Sequence, residues 1–203
     1  VDSSSDGSDV VGTWVDVAFA TPISDPVIVS QIQSHNGGQF CKTRQRNASP
    51  TGFQITLEED GADDAHYQET FGWLAMEPTW GVAQLNAVDY DCDADHCHRP
   101  QLRFMALNTP NAVTHEPYAV DFSAAGFLGV PAVFGSMLTF NGGDPAALRR
   151  LETTESSTQV FVEEETCSDD EQNHAAETIS IIAVQATYQV DSLRQDFEAH
   201  LDT

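Results

Sequence analysis

Residues 26–73 recur further along this chain, and that repeat restricts the possible folds more than any other feature. "DPVIVSQIQSHNGG", "TRQRNASPTGFQITLEED" and "HYQETFGWLAME" are answered by "VPAVFGSMLTFNGG", "LRRLETTESSTQVFVEEE" and "HAAETISIIAVQ". Pro26 matches Pro131, Asn36-Gly37-Gly38 matches Asn141-Gly142-Gly143, Arg44 matches Arg149, and Glu58-Glu59-Asp60 matches Glu163-Glu164-Glu165, all 105 positions apart. Beyond the acidic run the offset is 108: His66 matches His174, and Glu69-Thr70 matches Glu177-Thr178. Three residues are therefore inserted in the second copy, around Cys167. Solenoid repeats are far shorter, so a whole domain duplicated in tandem explains the pattern.

A chain of 203 residues has room for two domains of about 100 residues, each able to bury a working core. The reading divides it into a flexible lead-in at 1–9, a first repeat at 10–90, an acidic cysteine-containing linker at 91–114, and a second repeat with a C-terminal tail at 115–203. The copies read as strands. Residues 14–19 alternate apolar and polar, with residues 119–124 as counterpart and Asp16 falling on Asp121. Residues 27–33 are rich in β-branched side chains, and 132–138 keep apolar residues at the same places. Residues 43–47, 53–57 and 71–76 complete the first set, and Asn-Gly-Gly and Pro50-Thr51-Gly52 mark turns. Short strands broken by turn signals predict an all-β sandwich. Helical spacing is confined to residues 192–201.

Charge excludes some partners. Thirty-two acids face eight bases, a net charge of −24, and Lys42 is the single lysine. Such a surface repels nucleic acid and anionic lipid, and suits calcium, other cations or a salty medium. No segment is long and apolar enough to cross a membrane, so insertion is not expected. The absence of an initiator Met and of a leader is what a processed or excised chain would show. An acidic, lysine-poor chain of this kind is expected outside the cell or on its surface. There the cysteines Cys41, Cys92, Cys97 and Cys167 would form disulfides. Three pairings are open, and Cys92–Cys97 with Cys41–Cys167 is preferred.

"VAFATPISDPVIVSQIQ", "SPTGFQITL" and "FGWLAME" resemble the H-type lectin domain of snail agglutinins and the discoidin C-terminal module. The likeness runs from about Val15 to Glu77 in the first copy; the second keeps the spacing with few signature letters, Pro131, Val133, Arg149 and Ile181-Ile182-Ala183. The resemblance implies two tandem six-stranded antiparallel β-sandwiches of H-type lectin-like fold. It implies assembly with copies of itself, as a trimer or higher, and glycan binding at clefts between protomers. It also implies an arginine on the strand before Ser-Pro-Thr-Gly-Phe that holds the sugar, here Arg44, with Arg149 as its repeat. The other reading of these arginines is pairing with neighbouring acids, tying strands or protomers together. The family's stacking aromatic is missing from the loop before the last strand, where Tyr67 alone could offer a ring.

The acid-rich loops are candidate calcium sites, since calcium takes clustered oxygens. The residues are Glu58, Glu59, Asp60, Asp63 and Asp64 in the first copy, and Glu163, Glu164, Glu165, Asp169, Asp170 and Glu171 in the second. The alternative is a solvated loop of like charges. His66 and His174 read as hydrogen-bonded loop anchors rather than ligands. In the linker, Asp89, Asp91, Asp93 and Asp95 alternate around Cys92 and Cys97, with His96 and His98. A disulfide-closed loop is preferred there, the same loop holding calcium next, and zinc last. Nucleophile-elbow, zincin and phosphate-loop motifs are absent, and His115-Glu116-Pro117 fails the zincin pattern. The expectation is a non-enzymatic, lectin-like carbohydrate-binding protein, or else a self-assembling structural protein of an extracellular filament, sheath or shell.

Overall fold

The structure, a computed structural model, describes residues 3–4, 13–38, 40–59, 67–84, 101–166 and 170–187. Within them the protein is all-β. The strands are β1 (Ser3–Ser4), β2 (Val15–Ala18), β3 (Val27–Ile32), β4 (Cys41–Ser49), β5 (Gly52–Glu59), β6 (Phe71–Met76), β7 (Thr79–Gln84), β8 (Gln101–Asn108), β9 (Tyr118–Asp121), β10 (Ala132–Met137), β11 (Ala146–Thr153), β12 (Ser157–Glu164) and β13 (Ile179–Thr187). They form antiparallel sheets in the orders β1-β6-β3, β2-β5-β4, β11-β12-β9 and β10-β13-β8-β7. Helix is limited, among the described residues, to one turn at Ser123–Ala125. Among the described residues no helix is long and apolar enough to cross a membrane. The helical spacing at 192–201 lies outside the described residues.

The pairing registers carry the sequence repeat into space. Val27 faces Met76 and Ile32 faces Phe71; Ala132 faces Val184 and Met137 faces Ile179. Those partners are related by the 105 offset on one strand and the 108 offset on the other. Arg44 faces Thr56, and Arg149 faces Phe161, in the same correspondence.

Two expectations change. Val17 pairs with Phe53, while Val120 pairs with Thr158, the counterpart of Phe53. β2 therefore corresponds to β9 with Asp16 on Ala119, not on Asp121. A slip of two residues leaves every side chain on its own face, so alternation alone could not detect it. The second change concerns the lead-in and the linker. Ser3 pairs with Gly72 as β1, and Asn108 pairs with Ser180 at the end of β8. Residues 101–108, read as linker, are thus a strand at the centre of a sheet, in the place that β1 holds in the first copy. Their mixed composition, with Arg103 and two flanking Gln or Asn, hid a strand that is half-buried rather than alternating.

The two copies are packed on each other. Val113, Val120, Phe122, Met137, Val160, Val162, Ile179 and Ile181 fill a core in the second copy. Val17, Ile28, Phe53, Ile55 and Phe71 fill one in the first, which Leu138 of the second copy helps to close. Val27, Ala106 and Ile182 form a third cluster between them. β3 serves both sides because successive residues point oppositely: Ile28 enters the first core and Val27 the seam. Its amides are taken by the other copy, with Ile28 N–H donating to Ser180 Oγ at 3.0 Å and Ser30 N–H to Ser136 Oγ at 3.0 Å.

Candidate functional site

Within each copy, the Asn-Gly turn and the Glu-Thr pair of the sequence come together. In the first copy, Glu69 accepts hydrogen bonds from Asn36 N–H at 2.7 Å, Gly37 N–H at 3.0 Å and the Ser34 hydroxyl at 2.5 Å. In the second, Glu177 accepts from Asn141 N–H at 2.8 Å, Gly142 N–H at 3.3 Å and the Thr139 hydroxyl. Asn36 and Asn141 each close the arrangement by donating to a backbone carbonyl, of Gln68 and of Ala176. A turn with two adjacent amides aimed at one carboxylate is an anion nest built from the chain's own acid. It joins the chain just after one strand to the chain just before another, 33 residues on in the first copy and 36 in the second.

Glu177 has further partners. His174 Nε2 lies 3.2 Å away and Arg44 Nη2 donates to it at 3.4 Å. Arg44 is the largest fully buried side chain among the described residues. Its Nη1 donates to Glu58 at 2.8 and 2.9 Å, and its guanidinium lies 4.5 Å from the Phe140 ring centroid. Glu58 also accepts from the Ala146 amide at 3.1 Å. Arg44 and Glu58 come from the first copy, and Glu177, Phe140 and Ala146 from the second. The guanidinium thus bridges the copies inside the protein, charge against charge and face against ring. His174 Nδ1 lies 2.6 Å from Glu164 Oε1. Burial would lower the His174 pKa, but the hydrogen bonds and charges of Glu177 and Glu164 outweigh it and hold the value above the ordinary one. Burial likewise would raise Glu177, while His174, Thr139, Asn141 and Gly142 hold it below.

Beside this cluster lies a cleft of about 290 Å³ between the copies. Phe40 and Lys42 line it from the first copy; Arg149, Glu163, Glu164 and Glu165 line it from the second. Arg149 is half in solvent and donates to Glu163 at 2.8 Å. Phe40 is 69% exposed, a large ring left without cover.

Comparison with known proteins adds one likeness. The chain is similar to halomucin. That protein, from Haloquadratum walsbyi (strain DSM 16790 / HBSQ001), is 26% identical over 191 residues, covering 92% of this chain and 2% of halomucin. The chain therefore spans a small part of the curated relative it matches. No family model and no solved structure matches it.

The structure separates the residues singled out in the sequence. Arg44, aligned with a sugar-holding arginine, is fully buried and turned to Glu58 and Glu177, so its guanidinium does not face a ligand in solvent. Its repeat Arg149 does face the cleft. Phe140 and Glu177 of the second copy cover Arg44 on β4, whereas Arg149 on β11 is exposed. Tyr67 is 72% exposed before β6. Glu58 and Glu59 are buried, Glu163 is paired with Arg149, Glu165 is half-buried and Asp170 is exposed. Glu164 and Glu171 come together with Asp144, a residue not singled out in the sequence. Cys41 is half-buried on β4 and forms no disulfide among the described residues; burial, then the charges of Glu69 and Glu59, push its thiol pKa up. Asp60, Asp63, Asp64, Asp91, Asp93, Asp95, Asp169, Cys92, Cys97 and Cys167 lie outside the described residues. Sequence reading also missed the nests themselves. Their signal was present: Asn-Gly and Glu-Thr are among the few pairs that both copies keep.

Proposed function

We propose that this chain is a carbohydrate-binding module of an extracellular or cell-surface protein, and that Arg149 rather than Arg44 serves the glycan. The fold proposed for it is two tandem six-stranded sandwiches of the H-type lectin kind. The equivalent strand registers of the two copies support that reading. The observation that carries the sugar reading is the cleft between the copies. It offers a forked arginine donor, a lysine, three carboxylates and an exposed aromatic face within one concavity, which is the mixture that hydroxyls and a sugar ring's apolar face require. Clefts between sandwiches are also where the resembled family binds sugar, there between protomers. Likeness to a mucin by name and the acid-rich surface support a place outside the cell.

A glycan array, run with and without calcium, tests this. Binding that is lost in Arg149→Ala, in a protein that remains folded, is the expected result. No glycan retained by the wild type, or retention unaffected by Arg149→Ala, would reject it. A second reading, a self-assembling structural component, draws on one feature. Leu74 and Phe134 stand exposed along one groove, and Trp80 and Val82 stand exposed on β7. Electron microscopy of the same sample distinguishes the two, since trimers suit both readings and only the second needs filaments or sheets.

A further inference from the structure

We propose that Asp144, Glu164 and Glu171 form a site for one hard divalent cation such as calcium. The inference stands apart from the glycan reading and needs no sugar. One ligand oxygen from each residue lies within 4.8 Å of the other two. Two oxygens on one calcium ion, each at about 2.3–2.6 Å, can stand up to about 4.6–5.2 Å apart; around magnesium, at about 2.0–2.1 Å, the limit is about 4.2 Å. Separations of no more than 4.8 Å lie within what one calcium ion spans without rearrangement.

Acidic side chains cluster on many surfaces without an ion, so the decisive feature is Glu164. It is 6% exposed at the end of β12. Its Oε1 faces His174, yet its Oε2 is buried with no hydrogen-bond partner. A buried carboxylate oxygen left bare is unfavourable unless something positive meets it. The backbone brings the other two acids to it. Ala146 pairs with Glu164 across β11 and β12, which places Asp144 two residues away at the strand's entry. Glu171 is held by its own loop, accepting from Asn173 N–H at 2.5 Å. His174 fixes the Glu164 carboxylate from behind, as groups outside the coordination shell do at metal sites. In the first copy the places of Asp144 and Glu164 are taken by Gln39 and Glu59, so the set is not repeated in the sequence.

Calorimetric titration of the full chain with calcium chloride, at constant high sodium chloride, tests the site. One variant is Asp144→Asn with Glu171→Gln; both residues are exposed, so folding is preserved. A second is Asp16→Asn with Glu116→Gln, which removes the same charge from exposed positions elsewhere. The expected result is a saturable site in the wild type and in the second variant, weakened at least ten-fold in the first. Absence of saturable binding overturns the proposal. So does an equal loss in both variants, which would mean diffuse attraction by net charge, or an unchanged affinity in the first.

Discussion

Arg44 and Arg149 are the same residue in two copies, with opposite surroundings. Arg44 lies inside the protein between two buried carboxylates, and its removal would take from Glu58 and Glu177 the guanidinium they share, leaving Lys42 beside Glu58 and His174 beside Glu177. Breaking a buried pair from one side costs about 3–5 kcal/mol. Arg149 and Glu163 are about half exposed, and such pairs contribute about 0–1 kcal/mol. Urea unfolding should therefore show Arg44→Ala strongly destabilised and Arg149→Ala nearly unchanged; comparable losses would refute the inward role of Arg44. Glu177 adds a pH dependence. Its folded pKa lies below its ordinary value of 4.5, so the unfolded chain binds protons more readily. The stability it contributes is fully present above about pH 4.5 and is lost as pH falls through the lower folded value. Below about pH 4.5 the gap in unfolding free energy between the wild type and Glu177→Gln should shrink; at higher pH the gap also carries His174, whose raised value depends on Glu177 and whose contribution is lost as pH rises through it. A gap that widens below that pH contradicts the hydrogen-bonding account.

Two turns hold the strands in register, and each depends on one glycine. Gly52 opens β5 with φ at 156°, and a Cβ there would lie 2.0 Å from the Val17 carbonyl oxygen. That carbonyl belongs to β2, so Gly52→Ala should open the β2–β5 edge as well as strain the turn. Its cost should exceed about 1 kcal/mol, the usual scale for a favourable glycine replacement reversed in sign. Faster amide exchange confined to β2 and β5 would show it; protection unchanged there would count against it. At Gly142 a Cβ would sit 2.3 Å from the His174 ring. Gly142→Ala should displace that ring from Glu164 and Glu177, visible as altered His174 side-chain resonances, with the β-strands otherwise retained.

Across the whole molecule, a charge of −24 opposes compactness, and the seam opposes separation of the copies. Raising ionic strength from about 0.1 to 1 M shortens the screening length from about 10 Å to 3 Å. The melting temperature should rise over that range in sodium chloride, because repulsion between exposed acids weakens more than the buried pairs do. A fall would mean that exposed ion pairs dominate. The first core is completed by Leu138, β3 lends its amides to the second copy, and Arg44 spans both. Calorimetry should accordingly give one unfolding transition for the described strands rather than two independent ones. Two transitions that persist in Arg44→Ala unaltered would show that the seam is not cooperative.

The chain's own sequence determined its strand class, its duplication and most of its register, because those follow from local alternation, turn residues and a fixed offset. Residues 71–76 form β6 as expected, and the 105 and 108 offsets reappear as paired positions. Where the sequence misled, period-two patterning was the reason: it could not tell Asp16 on Ala119 from Asp16 on Asp121, and it did not register β8 in a stretch of mixed polarity. The candidate site was legible in part, since Arg44, Arg149, Glu164 and His174 stood out through repetition or acidity. Their roles did not, because a residue's role depends on what faces it from far along the chain. Only the tertiary structure turned Arg44 inward between Glu58 and Glu177, left Arg149 on the cleft, and brought Asp144 to Glu164. The physical reason is packing of one copy against the other: identical positions on β4 and β11 meet a buried seam in one case and solvent in the other, and no pattern within either copy encodes which.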